Sequence, residues 1–186
     1  MTNELIVADG HGNRRVIVFD GATGVFKRMW GSRGRDPDDP AIYREDPAKW
    51  GIVHSVALSD DRLLYVGDRS GGFIEVFHLN GTFVSEVAIE PEFNHLSSFN
   101  GPWGIAFSHD PEQRHLFVTN GITGHVLIMD RKSLRVLSKF GSKNSSRPLT
   151  PGQFMLVHSI AVDASGSLYI TETGGMGARV QKFLRI

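Results

Sequence analysis

Leu5-Ile-Val-Ala-Asp9, Leu64-Tyr-Val-Gly-Asp68, Leu116-Phe-Val-Thr-Asn120 and Leu168-Tyr-Ile-Thr-Glu172 are four versions of one segment, a short apolar run closed by a polar residue. The closing residues lie 59, 52 and 52 positions apart, so the chain repeats with a period near 50. A fixed period of that size marks a repeat architecture in which each unit buries its apolar faces against its neighbours. After each segment come a Gly-bearing turn and a second apolar run: Arg15-Val-Ile-Val-Phe19, Phe73-Ile-Glu-Val-Phe77, His125-Val-Leu-Ile-Met129 and Arg179-Val-Gln-Lys-Phe183. Three of the segments are preceded by another run: His54-Ser-Val-Ala-Leu58, Trp103-Gly-Ile-Ala-Phe107 and His158-Ser-Ile-Ala-Val162. A further run, Val25-Phe-Lys-Arg-Met29, Thr82-Phe-Val-Ser-Glu86 or Arg135-Val-Leu-Ser-Lys139, closes three repeats.

The runs are short and rich in β-branched and aromatic residues, and turns such as Asp20-Gly21 and Asn80-Gly81 separate them. That pattern predicts antiparallel meanders. No segment sustains a 3.6-residue apolar period, so helices should be few. Four strands per unit is the blade of a β-propeller. Lettering the strands a to d from the axis outward, the chain reads bcd, abcd, abcd, abc, or 14 strands. The expectation is all-β, a propeller of about four four-stranded blades, its ring incomplete or completed by another subunit; a compact four-blade array with two ragged blades is the alternative. Residues 1–186 read as one domain, with repeats near 4–30, 52–90, 101–140 and 156–186. Residues 31–51 and 141–152 read as exposed connectors, the first with one helical turn at most.

Lys plus Arg and Asp plus Glu balance at 20 each. Binding to a phosphate backbone normally needs a basic surplus, so no nucleic-acid partner is expected. The absence of cysteine excludes disulfides and thiolate metal sites. No apolar run approaches the ~20 residues of a membrane span. The N-terminus lacks the basic and apolar regions of a signal peptide, so the chain as written reads as cytoplasmic; an exported origin stays open for a trimmed sequence.

Ala8-Asp-Gly-His-Gly-Asn-Arg-Arg-Val-Ile-Val-Phe19, Val53-His-Ser-Val-Ala-Leu58 and Pro151-Gly-Gln-Phe-Met-Leu-Val-His-Ser-Ile-Ala-Val-Asp163 resemble bacterial NHL-repeat propellers. Among enzymes the likeness is to the peptidyl-α-hydroxyglycine α-amidating lyase, a six-bladed propeller with three zinc-binding histidines near its axis, a calcium nearby, and arginine and tyrosine in the reaction. The resemblance implies metal roles for His54 and His158 and a substrate role for Arg15. It would place a third ligand after Asn120-Gly121, where Ile122-Thr-Gly-His125 offers no clean match, and a tyrosine near Phe107 in a repeat that has none.

Equivalent positions of successive blades converge on the axis, so strands that each begin with His can bring imidazoles together. Imidazole suits zinc, and three protein ligands plus water make a catalytic site. His11, in the first b–c turn, is a further candidate. A strand-initial His-Ser is equally a hydrogen-bonding staple between blades. Asp9, Asp68, Asn120 and Glu172 are expected to accept backbone N–H bonds in the turns they open. Arg15, Arg69 and Arg179 either brace blades or present a guanidinium to an anion, and Trp30, Trp50 and Trp103 read as packing. No nucleophile or phosphate-binding motif is present. Two functional expectations follow: a module binding a protein, peptide or small ligand on its loop face, or a lyase or hydrolase using zinc or calcium. Open sheet edges add the expectation of a homo-oligomer, most simply a dimer.

Overall fold

The computed structural model describes residues 3–39, 50–144, 150–173 and 178–185. They form β1 (Glu4–Asp9), β2 (Arg15–Asp20), β3 (Phe26–Trp30), β4 (Val53–Leu58), β5 (Leu63–Asp68), β6 (Phe73–His78), β7 (Phe83–Ala88), β8 (Pro102–Phe107), β9 (His115–Asn120), β10 (His125–Asp130), β11 (Val136–Phe140), β12 (Ser142–Lys143), β13 (Gln153–Phe154), β14 (Val157–Val162), β15 (Leu168–Glu172) and β16 (Val180–Phe183). Helix among the described residues is limited to two 3-10 turns, Ser32–Gly34 and Pro91–Phe93.

Four antiparallel meanders, β1-β2-β3, β4-β5-β6-β7, β8-β9-β10-β11 and β14-β15-β16, reproduce the three-four-four-three strand count that the repeats predict. Strands β1, β4, β8 and β14 pack in that order, each against the next. The sheets stack face to face because their strands alternate between two buried faces. Leu64 and Val66 of β5 join Val16 and Val18 of the first sheet. Tyr65, between them, joins Leu116 and Val118 of the third, and Phe117 in turn joins Leu168 and Ile170 of the fourth. Leu116 is fully buried, and truncating such a side chain to Ala costs about 2–5 kcal/mol.

The 31–51 connector packs more closely than its composition suggests. The Glu75 carboxylate is buried, and it accepts bonds from Ser32 Oγ and Arg33 N, both at 2.7 Å. Trp50 is buried against Phe77. The middle of that connector, 40–49, lies outside the described residues. In the 141–152 connector the structure adds a parallel pair that sequence did not suggest: Ser142 with Gln153 and Lys143 with Phe154. Its anchors are tertiary. Phe154 is fully buried, and Lys143 N donates to Thr123 O at 3.0 Å. Gly124 allows the approach: its φ is +72°, and a Cβ there would lie 2.4 Å from Lys143 N.

Candidate functional site

In each sheet that has an inner strand a, the pairing slips by one residue near the start of that strand. Val53 pairs with Asp68 but Ser55 with Gly67, leaving His54 as the extra residue. Pro102 pairs with Asn120 but Gly104 with Thr119, which leaves Trp103. Val157 pairs with Glu172 but Ile160 with Ile170, so the extra residue falls within His158-Ser159. A bulge takes a side chain out of the strand's alternation and re-aims it. Three equivalent bulges therefore redirect three equivalent positions.

The polar residue closing each strand b holds the chain that enters the bulge. The Asp68 carboxylate accepts N–H bonds from Gly51 at 3.0 Å and Ile52 at 2.9 Å, just before β4, and from Ser70. Burial pushes the Asp68 pKa up, against the pull of these donors. Asn120 Nδ2 donates to Asn100 Oδ1 at 2.9 Å, before β8, and Glu172 Oε1 accepts from Met155 N at 2.8 Å, before β14. Turn bonds of the expected kind also occur, at Ser70 and at Ile122 N, which donates to Asn120 Oδ1.

The redirected rings meet. The His54 and His158 centroids are 4.8 Å apart, and Trp103 lies 5.6 Å from His54 and 5.4 Å from His158. His11, exposed on the β1–β2 turn, places its ring 6.1 Å from His54. His54 Nδ1 lies 2.6 Å from Trp103 O. A carbonyl only accepts, so Nδ1 carries the proton and the Nε2 lone pair is left available. Burial, followed by the nearby charges of Arg69, His158 and His11, lowers the His54 pKa to about 4, opposed by the bond to Trp103. His158 is lowered by burial and by Arg69. Both imidazoles are therefore biased toward the neutral form at pH 7.

The three arginines divide. Arg15 Nε donates to Asp9 Oδ2 at 2.8 Å and Nη1 to Met29 Sδ at 3.3 Å, within the first sheet. Arg179 Nε donates to Glu172 Oε2 at 2.6 Å and its Nη2 to Gln153 O. Arg69 has no carboxylate partner among the described residues. Its guanidinium carbon lies 4.7 Å from the Trp103 ring centre and 5.0 Å from that of Phe99, and its Nε is buried without a hydrogen-bond partner. Burial alone lowers its pKa. Trp103 and Arg69 thus border the histidine pair; the sequence presented Trp103 as packing and left Arg69 open between bracing blades and facing an anion. The one sequence signal for Trp103 is its repeat equivalence to His54 and His158. His125, in the third repeat, is engaged elsewhere: its Nδ1 lies 2.6 Å from Glu90 Oε1, a carboxylate that also accepts from Lys139, Thr123 and Asn120.

No family model matches the chain. Peptidyl-glycine alpha-amidating monooxygenases B and A of Xenopus laevis are 33% and 32% identical to it over 89 residues. The matched stretch is 47% of this chain and 9% of each relative, so the chain spans about a tenth of the length of these curated relatives. Hydrazine synthase of Kuenenia stuttgartiensis superposes on 98% of this chain and 43% of its own, with a TM-score of 0.65 at 13% identity. The architecture is propeller-type. The dihydro-heme d1 dehydrogenase NirN in complex with DHE covers 98% of this chain and 35% of its own, with a TM-score of 0.52 at 17% identity. At such identities both likenesses concern the fold alone.

Proposed function

We propose that this chain is the ligand-binding part of a propeller, with its site at the bulged starts of the inner strands, and that the ligand is a small molecule or peptide bearing a carboxylate. The observation that carries this reading is Arg69, a half-buried guanidinium stacked on Trp103, lacking a carboxylate partner among the described residues and flanked by imidazoles biased to neutrality. A guanidinium gives a carboxylate two parallel donors, and the aromatic face beneath holds the cation in place. The curated relatives are named for peptidyl-glycine, and a glycine C-terminus presents a carboxylate of this kind. Titration calorimetry with hippurate (N-benzoylglycine) and hippuramide tests the reading. Hippurate should bind the wild type and bind Arg69→Met at least about tenfold more weakly, while hippuramide binds both weakly. Equal affinity for acid and amide, or an Arg69→Met variant indistinguishable from wild type, overturns it.

A second reading, metal-dependent lyase or hydrolase chemistry, is favoured by one observation: two imidazoles 4.8 Å apart, one of them oriented by a backbone carbonyl as metal-ligating histidines are. The donor set fits two positions of a zinc site. Among the described residues no group of three His, Cys, Asp or Glu is arranged to hold a metal, so the residues present do not complete the site and no reaction step is derived from them. Equilibrium dialysis against zinc separates the readings: stoichiometric binding lost in the His54→Ala/His158→Ala double variant supports the metal, and no binding above buffer opposes it.

The same reading takes the chain as a homodimer. Among the described residues β1, in the first sheet, and β16, in the last, each pair on one side only, and Val180 on β16 is 63% exposed. An open edge of this kind is a template for another strand.

A further inference from the structure

The layers between successive sheets are closed differently at the end remote from the histidines. Between the second and third sheets, Arg131 enters the layer just past β10 and is only 4% exposed. Its Nη1 donates to Asp61 Oδ1 at 2.8 Å and Oδ2 at 2.9 Å, and its Nε to Gln113 O at 2.8 Å. Asp61 is held in turn by Ser59 Oγ at 2.5 Å.

The same positions recur between the third and fourth sheets. Met129 pairs with Leu116, and Phe183 pairs with Leu168, its equivalent 52 residues on. Arg185 is therefore the counterpart of Arg131. Asp110, bonded to Ser108 Oγ at 2.5 Å, is the counterpart of Asp61. Here the junction stays open. Asp110 is taken by Arg114 Nε at 3.2 Å, and no ion pair joins Arg185 to any described residue. The Arg185 stem lies across Gly166, where a Cβ would come within 2.9 Å of Arg185 Cδ.

Between the third and fourth sheets lies a cavity of about 490 Å³ walled by Phe117, Ile128, Phe140 and Phe183, with Arg185 and Arg114 among its polar lining. The Phe140 and Phe183 rings are 5.0 Å apart. The volume falls in the range of small-molecule sites, on the order of 300–1,000 Å³, and an apolar body with a few placed polar groups is their usual make-up. Ser108 and Val162, which line it, stand at the far ends of β8 and β14 from Trp103 and His158, so the cavity is separate from the histidine cluster.

We infer that this cavity is a second ligand site, taking a small amphipathic anion: an aromatic or short aliphatic carboxylate whose apolar body fills the layer and whose head group pairs with Arg185 where Arg131 pairs with Asp61. The Arg114–Asp110 pair leaves Arg185 as the cation in excess at the site. The test uses the full chain and two probes of nearly equal shape, naphthalene-2-carboxylate and naphthalene-2-methanol, in titration calorimetry. The carboxylate should bind one per chain and at least about tenfold tighter than the alcohol. Arg185→Gln should erase that preference without lowering the melting temperature, and Arg69→Met should leave it intact, which separates this site from the one at Trp103. No binding of the carboxylate, equal affinity for the two probes, a preference that survives Arg185→Gln, or one that disappears in Arg69→Met overturns the inference.

Discussion

The depressed pKa of His54 predicts a measurable pH dependence of stability. In the fold this ring protonates near pH 4, against 6.5 when free. Between those values the unfolded chain binds a proton that the folded chain refuses, so stability rises with pH across the window and is lost as pH falls through it. The displacement corresponds to a ceiling of about 3 kcal/mol. Solvent reaching the half-buried ring reduces the expected effect to about 2 kcal/mol. His54→Asn keeps an N–H for Trp103 O and has nothing to titrate there. Urea unfolding at pH 7.5 and pH 4.5 should show wild type losing about 2 kcal/mol more than the variant. His158 is lowered in the same direction and remains in both proteins, so it does not create the difference. Parallel losses in the two proteins would show that His54 is not desolvated beside Arg69, and the proposed site geometry would fall with it.

Three further outcomes are expected. Arg131→Ala removes the buried partner of half-exposed Asp61 and strands the carbonyl of Gln113, and should cost about 1–3 kcal/mol in urea unfolding; an unchanged midpoint would refute the closed junction. Glu90→Gln weakens the bonds from Lys139 and His125 to a carboxylate that is 7% exposed and should lower stability by about 2 kcal/mol, whereas an unchanged midpoint would refute it. Light scattering coupled to size exclusion should give twice the 20.6 kDa chain mass, and a concentration-independent monomer would remove the proposed dimer.

The fold was legible because a period near 50 and a period of two coincide. Leu64-Tyr-Val-Gly-Asp68 and its three equivalents name strand b, and everything else aligns to it. The convergence of His54 and His158 was legible for the same reason, since equivalent positions of stacked sheets approach one another. What could not be read was the device that turns them. A one-residue bulge leaves no mark in Val53-His-Ser, because the slip is set by Asp68 gripping Gly51 and Ile52 from the next strand. Arg69 was ambiguous because Arg15 and Arg179 occupy similar turns and do find carboxylates. Only the fold separates the one that does not. The β12–β13 pair was hidden in a Ser/Pro-rich stretch because buried Phe154 and a contact with Thr123, more than local propensity, hold it together.

Three equivalent bulges gather His54, Trp103 and His158 beside Arg69, and the role proposed for this cluster is to receive a carboxylate. It is tested most directly by following histidine ring and tryptophan indole resonances by NMR while hippurate is added. His54, His158 and Trp103 should shift together and saturate with one affinity, and the shifts should vanish in Arg69→Met while its spectrum stays that of a folded protein. Shifts confined to other residues, or an unchanged response in Arg69→Met, would contradict it.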